Sequence, residues 1–486
     1  MIDSKRIFSW NNREPNPEGL YVLYWMQIHR RLEFNFALEH AVEWANRLGK
    51  PLLIYEGLAC DYPWASDRLH QFLLEGMKEN HDLLMRKNVA HHSFVEMKPG
   101  EGAGLVRTLC ASACVVITDH FPVFIIRTHN ERIGPSVAVP YISVDANGIL
   151  PLGISIKAPY SAFEFRRWMQ KHFLVSYAAR PRKNPLSLLK ANRKAKVPSA
   201  VLRKWPDRFH LSDNIPELLR QIPIDHSVSP VSIQGTRQAA RKGFRSFLKN
   251  GLLSYAEQRN HPDLSKTSGM SPYLHFGKIS SHEMIQAALD QQPAYWSLET
   301  VRYCNGAREG FFGGNRSIQA FLDQLITWRE TGYHYCQHVP DYDRFESLPE
   351  WARLTLHKHR NDPRPYIYDL ESPETAQTHD PVWNAAQRQL LREGVIHNYL
   401  RMLWGKKILE WTPNPETALQ YLITLNNKYS IDGRNPNSYS GIFWILGRFD
   451  RPWGPERNIF GTVRWMSSEN TIRKIKLKEY LRLYGP

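Results

Sequence analysis

Tyr21-Val-Leu-Tyr-Trp25, a helical pattern over 33–48, and then Pro51-Leu-Leu-Ile-Tyr55 decide the fold of the first half of the chain. Each apolar run is short and rich in aromatic or β-branched residues, which suits a strand, while the segment between them has helical length. Two strands joined through a helix pair in parallel, because the crossover returns the chain to the same end of the sheet. Working outward, 66–87 reads as another helix, and 114–117 and 123–126 as strands. The expected fold is α/β, a Rossmann-like parallel sheet wrapped in helices. No G-x-G-x-x-G follows the first strand, so the usual dinucleotide fingerprint is absent.

From about Val231 convincing strands stop and helical periodicity takes over, at 234–249, 282–291, 318–330, 382–391, 395–410 and 416–428. This predicts an all-α second domain. No acidic residue lies between Glu164 and Asp207, whereas twelve basic ones do, with Pro181, Pro185 and Pro198 among them. That stretch reads as a solvated basic connection. The expected domains are therefore 1–164, a linker over 165–207, and 208–486.

The chain has 486 residues, 42% hydrophobic and 23% charged, which excludes disorder and predicts two or three domains with sizeable cores. The 63 Lys and Arg exceed the 47 Asp and Glu by sixteen, and Trp occurs 15 times. Such a balance fits a nucleic-acid partner or a solvated basic surface, and charge alone leaves both open. The apolar run near 115–126 is broken by Asp119, His120 and Pro122, so neither a spanning nor a secretory segment is expected. A cytosolic or nuclear protein follows. Cys60, Cys110, Cys114, Cys304 and Cys336 are scattered, which predicts reduced thiols and no metal site.

The densest chemical string is Lys266-Thr-Ser-Gly-Met-Ser271, followed by Pro272 and Tyr273-Leu-His-Phe-Gly277. Small hydroxyl residues and a Gly before a helix-starting Pro offer N–H groups and hydroxyls to a phosphate or pyrophosphate, although an ordinary capped helix has similar letters. Trp404 and Trp411 stand seven apart on one helical face, about 10 Å along the axis. Trp383 opens the preceding helix. Taken alone, such a row of indoles is core packing.

With Tyr255 twelve residues before Thr267, the phosphate string resembles the flavin-binding element of the photolyase and cryptochrome family. The likeness extends along nearly the whole chain, and its details look like the class II cyclobutane pyrimidine dimer photolyases. It is carried by Tyr21-Val-Leu-Tyr-Trp-Met-Gln27 with Arg30 and Asn35, by Phe321-Leu-Asp-Gln-Leu-Ile-Thr-Trp-Arg-Glu330 and by Thr378-His-Asp-Pro-Val-Trp-Asn384. His397-Asn-Tyr-Leu-Arg-Met-Leu-Trp-Gly-Lys-Lys-Ile-Leu-Glu-Trp411 and Leu425-Asn-Asn-Lys-Tyr-Ser-Ile-Asp-Gly-Arg-Asn-Pro-Asn437 follow in the same order.

The resemblance implies an α/β antenna domain, a helical domain holding FAD, and light-driven repair of pyrimidine dimers in single- or double-stranded DNA by a monomer. Such an enzyme would work in the bacterial cytoplasm at the nucleoid, or in a eukaryotic nucleus. FAD would be bound through Tyr255, Thr267, Ser268, Gly269, Met270, Ser271, Asn426, Asp432 and Gly433. An antenna chromophore, a deazaflavin rather than a folate, is implied for the first domain. Electrons would pass along Trp404, Trp383 and an exposed Trp411. Arg401 and Asp432 match an ion pair near the isoalloxazine, and Asn426 the residue at its N5. The flipped dimer would sit between Trp328 and Trp444 near Gln324, with Arg329, Arg434, Arg451 and Arg457 on phosphates and Trp453 entering the gap left in the duplex.

Three positions depart from the class. Gln324 replaces a Glu that hydrogen-bonds the dimer; it keeps the size and donates as well as accepts, but supplies no proton. Gly269 stands where a polar residue is frequent, and Leu403 where Tyr is. Gln also occurs at the comparable place in (6-4) photolyases and cryptochromes, which raises a (6-4) enzyme or a blue-light photoreceptor as the alternative. Against it, Asn398 and Met402 stand where the (6-4) enzymes carry a His pair.

Overall fold

The computed structural model describes residues 2–191, 193–210 and 214–486. These fall into two compact units. One comprises Met1–Ser155, Phe173–Gly243 and Met270–Ala287, the other Ile156–His172, Phe244–Gly269 and Ala288–Pro486.

The first unit is built on a six-stranded sheet: β1 (Ile7–Ser9), β2 (Tyr21–Trp25), β3 (Leu52–Leu58), β4 (Ala90–Val95), β5 (Ala113–Asp119) and β6 (Tyr141–Val144). The order is β1-β6-β5-β2-β3-β4, parallel except for the edge strand β1. All five residues of β2 are buried, as a central strand covered on both faces requires. Its alternation feeds two cores. Val22 and Tyr24 pack on one face with Ile54 and Ile117, and Tyr21, Leu23 and Trp25 on the other with Leu53 and Val116.

The crossover helices include α1 (Phe36–Leu48), α2 (Asp67–Arg86), α3 (Leu105–Ala111) and α4 (Phe124–Ile133). The expected strand over 123–126 is instead the start of α4: Val123 is extended, and the apolar pair Ile125-Ile126 already lies in helix. A short apolar run does not separate the two conformations. Strand β4, Ala90-His-His-Ser-Phe-Val95, is not among the expected strands, and every residue of it is buried.

Chain order reverses between β2 and β5, the place where a doubly wound sheet opens a ligand crevice. Here Asp119, at the end of β5, fills it. Its carboxylate accepts from the N–H groups of Gln27, Ile28 and His29 at 2.7–2.8 Å and from the Tyr24 hydroxyl at 2.8 Å. Full burial nonetheless raises its pKa.

The stretch over 165–207 is not a free connection. It begins inside a 17-residue helix, Ala162–Ala178, whose Arg166 is 3% exposed. Farther on, Ala195, Val201 and Trp205 pack into one face of the sheet. The charges are solvated, but the apolar residues between them are core. Asn192 lies outside the described residues.

In the second unit three helices start from the same signature. Asp380, Asn414 and Asn435 each cap a helix whose first residue is Pro: Pro381–Glu393, Pro415–Tyr429 and Pro436–Ile445. With Asn398–Trp411 they enclose a core of Leu and Trp side chains. The expected helix over 318–330 is interrupted. Arg316–Leu322 passes through a π-helical turn, Asp323–Trp328, into Arg329–His338. Such turns often mark functional sites.

Among the described residues no helix is long and apolar enough to cross a membrane, and no group of His, Cys, Asp and Glu is placed to hold a metal ion. None of the five cysteines forms a disulfide.

Candidate flavin and lesion site

The helix Asn398–Trp411 carries two side-chain clusters on nearby positions. Arg401 Nη1 donates to the Asn426 side-chain oxygen at 2.9 Å, and Nη2 lies 3.3 Å from Asp432. Asn426, 4% exposed, spends one amide hydrogen on Asn427 Oδ1 and keeps the other. Gly433 lies buried in the turn that follows Asp432. Asn426 and Asp432 come from opposite ends of one turn, and a single guanidinium fork ties them together.

Three residues beyond Arg401, Trp404 begins the row of indoles. Trp383 lies parallel to Trp404 at 6.2 Å between centroids and meets Trp411 edge-on at 5.4 Å. The Trp383 indole N–H donates to the Trp404 carbonyl, and that of Trp404 to Gln387. Buried indoles usually find such partners. The order Trp404, Trp383, Trp411 matches the expected chain, but its outer end does not. Trp411 is 2% exposed, because Tyr368 and His379 pack over it at 5.6 and 5.1 Å.

Trp328 and Trp444 are brought together, stacked at 4.6 Å and 11°. A base cannot lie between rings at that separation, so they form one joint platform rather than two jaws. The helices bearing them approach closely because Gly332 presents no side chain: a Cβ there would stand 2.7 Å from the Ser440 hydroxyl and 2.8 Å from the Pro436 carbonyl. The Trp328 indole donates to Asp323, which is paired with buried Arg166 at 2.7 Å. Gln324 occupies the same π turn, half-buried.

Nearby in sequence, the loop 451–457 is exposed throughout. Trp453, 41% exposed, has the guanidinium groups of Arg451 and Arg464 against its ring at 5.2 and 5.5 Å, and Arg457 stacks on Trp465 at 4.5 Å. A pocket of about 310 Å³ lies here, lined by Trp453, Arg457, Arg464, Trp465, Asn470 and Lys474 among others. Exposed aromatic faces interleaved with Arg and Lys suit nucleic acid, through stacking and phosphate contact.

No protein-family model matches the chain. It is 34% identical over 485 residues to the deoxyribodipyrimidine photo-lyase of Methanothermobacter thermautotrophicus, across 99% of this chain and 98% of that protein. The chain belongs to the DNA photolyase family. The photo-lyase of Arabidopsis thaliana is 33% identical over 470 residues, 95% of this chain and 88% of its own, and that of the marsupial Potorous tridactylus 30% over 478 residues, 96% and 81%. A crystal structure of a bacterial class III photolyase from Agrobacterium tumefaciens superposes with a TM-score of 0.65 at 17% identity, covering 98% of this chain and 87% of that one. The photolyase fold is shared at that level.

The remaining photolyase-type positions divide. Tyr255 is 8% exposed; Thr267 and Gly269 are exposed and Ser268 half-buried. Met270, buried, and Ser271, exposed, fall in the other unit, whose boundary crosses this string. Ser271 opens a helix of only five residues. Met402 is half-buried and Asn398 exposed, on one helix. Two expected phosphate contacts are overturned. Arg329 is 8% exposed, with its guanidinium over the Tyr333 ring at 4.4 Å, because it lies about 100° around the helix from Trp328. Arg434, 3% exposed, donates to the carbonyls of Asn427, Ser430 and Ile431. Arg451 and Arg457 remain exposed. Sequence reasoning missed Gln387, Arg166, Tyr368 and His379, which hold or cover the tryptophans; only their contacts single them out.

Proposed function

We propose that the protein is a flavin-dependent, light-driven DNA repair enzyme that splits cyclobutane pyrimidine dimers, in the manner of class II photolyases. The observation that carries this is the placement of the Arg401, Asn426 and Asp432 cluster three residues from an ordered, buried row of indoles. The donor set fits a flavin. Asn426 retains an amide hydrogen for a ring nitrogen, and Asp432 with Arg401 offers a fixed charge pair to tune the ring. Thr267 and Ser268 would take the phosphates and Tyr255 would wall the site. When bound and reduced, FAD supplies the light-driven electron.

The chain's own residues then do four things. Trp404, Trp383 and Trp411 deliver electrons inward. Trp328 and Trp444 support one face of the flipped dimer, whose weakened pairing lowers the cost of extrusion. Gln324 hydrogen-bonds a thymine edge as both donor and acceptor, without giving up a proton. Arg451 and Arg457 hold phosphates while Trp453 stacks in the vacated gap, so affinity falls as salt rises. A deazaflavin antenna on the α/β unit completes the proposal.

Gln324 also favours a second reading, a (6-4) photolyase or a photoreceptor. A (6-4) reaction calls for a protonated imidazole at the lesion. The imidazole at the start of the helix, His397, is instead pushed down to about 4 by burial and stays neutral. The test is repair under blue light of oligonucleotides holding one cyclobutane dimer or one (6-4) product, with Gln324→Glu beside wild type. Restored thymines from the dimer alone are expected, with a higher yield for Gln324→Glu. Repair of only the (6-4) product would overturn the assignment, and flavin cycling with no product would point to the photoreceptor.

A further inference from the structure

The row of indoles stops short of solvent, so an electron entering from outside needs a further carrier. What covers Trp411 is a cluster of three rings. Tyr368 meets it edge-on at 5.6 Å, and its backbone N–H donates to the Trp411 carbonyl at 3.0 Å. His379 meets it at 5.1 Å. Tyr366 lies flat on His379 at 3.6 Å and 17°, parallel to Tyr368 at 6.4 Å, and is 47% exposed. From Trp404 to the surface no ring-to-ring step exceeds 6.4 Å.

Packing alone accounts for rings over Trp411, but not for how their polar atoms are arranged. The Tyr368 oxygen accepts from the His379 backbone N–H at 3.0 Å. Its own proton is thereby aimed at His379 Nδ1, 2.8 Å away, which a neutral imidazole protonated on Nε2 can accept. Oxidising a phenol while it keeps its proton is strongly uphill, and an aligned base removes that obstacle. Phenylalanine would have covered Trp411 as well.

We propose that Tyr368, His379 and Tyr366 form the outer end of the electron relay, with Tyr366 its exit to solvent; this rests on the flavin-dependent reading above. The steps balance as follows. Once Trp411 has given an electron inward, the indole radical cation takes one electron from Tyr368. The Tyr368 O–H bond breaks, and its proton bonds to His379 Nδ1, leaving a neutral tyrosyl radical beside an imidazolium. Tyr366 then gives one electron to Tyr368 and its own proton to water, while the imidazolium returns its proton to the Tyr368 oxygen. A thiol in solution restores Tyr366 by giving one electron and one proton and becomes a thiyl radical.

Flash photolysis of the flavin-loaded protein with a thiol present tests the relay. The broad indole-radical absorption should give way to the narrow tyrosyl band and its electron-paramagnetic signal, more slowly in deuterated water. Tyr366→Phe with Tyr368→Phe should lose the tyrosyl signature, leaving the hole on Trp411 to recombine. Tyr366→Phe alone should keep the tyrosyl radical but lose the dependence of its decay on thiol concentration. His379→Phe preserves the ring cover and should lose the isotope effect. A merely structural cover would give the same spectra in every variant, and that result, or no tyrosyl band in wild type, overturns the proposal. Pulse radiolysis in the dark, with azide radicals as oxidant, should show the same indole-to-tyrosyl transfer and its loss in the double variant. Dimer repair by wild-type protein whose flavin has been reduced with dithionite reports separately on the underlying function. Absence of repair there sinks that reading, and absence of the tyrosyl band sinks only the relay.

Discussion

Both units bury charged groups, and one cluster from each shows two different uses of them. In the α/β unit two of them are consumed by the fold itself. Asp119 is saturated by three backbone N–H groups and a tyrosine, and Arg30 pairs with Glu56 at 3.1 Å among fully buried neighbours. In the helical unit Arg401 ties Asn426 and Asp432 together, and Asn426 keeps one amide hydrogen unspent. The aromatic residues divide likewise. Trp25 is one side chain within a sheet core, whereas Trp404, Trp383 and Trp411 touch in sequence. A saturated polar group serves the fold, and a partly satisfied one beside an ordered aromatic row is a candidate for chemistry.

The sharpest way to break this comparison is to remove one indole from each unit. Trp404→Phe should nearly abolish light-driven flavin reduction, measured as bleaching under blue light with a thiol, while flavin stays bound. Trp25→Phe should leave the bleaching rate as it was. Equal rates for Trp404→Phe and wild type would sink the assignment of the row to electron transfer.

A second, smaller effect concerns the Asp119 carboxylate. Asp119→Ala leaves the N–H groups of Gln27, Ile28 and His29 without their acceptor, a loss of about 4 kcal/mol at ~1–3 kcal/mol for each unsatisfied group after partial relaxation. Hydrogen exchange should show those three amides opening, and denaturant unfolding should show the loss. Unchanged protection would mean that Asp119 does not seal the switch point.

Much of this was legible in the sequence because it rests on local chemistry. β2 and α1 follow from short apolar runs and helical spacing, and the helices starting at Pro381, Pro415 and Pro436 from Asp or Asn followed by Pro. The order of the indoles followed from resemblance to the photolyases. What the sequence hid depends on neighbours distant along the chain. Strand β4 is polar in sequence at His91, His92 and Ser93 and is core only because the rest of the unit covers it. Arg329 and Arg434 look like phosphate ligands until Tyr333 and three carbonyls claim them. Trp411 passes for a surface residue until Tyr368 and His379 close over it. The gap between Trp328 and Trp444 depends on how closely two helices approach, which no spacing rule gives.

The smallest expected effect concerns two lysines, one buried in each unit. Lys278 is 1% exposed in the α/β unit, where burial lowers its pKa to about 8 with the nearby Glu56 carboxylate opposing the shift. Lys406 is 1% exposed on the helix Asn398–Trp411 and donates to the Ile445 carbonyl at the end of the helix that carries Trp444. Burial pulls it further, to about 7. Both values lie below the usual 10.5, so between them and that value the unfolded chain binds the extra proton and stability rises with pH. Below the folded value both states are protonated and the full penalty is present. Replacing either lysine by Met removes its contribution, about 1.4 kcal/mol per pH unit at most. For Lys406→Met, the gain in stability over wild type should shrink from about pH 7 upward; for Lys278→Met it should shrink only from about pH 8, because Glu56 partly compensates the charge. Denaturant unfolding across that range measures both. Onsets in the reverse order would mean that the carboxylate beside Lys278 offsets less of its burial than the Ile445 carbonyl and the Asp450 carboxylate offset for Lys406.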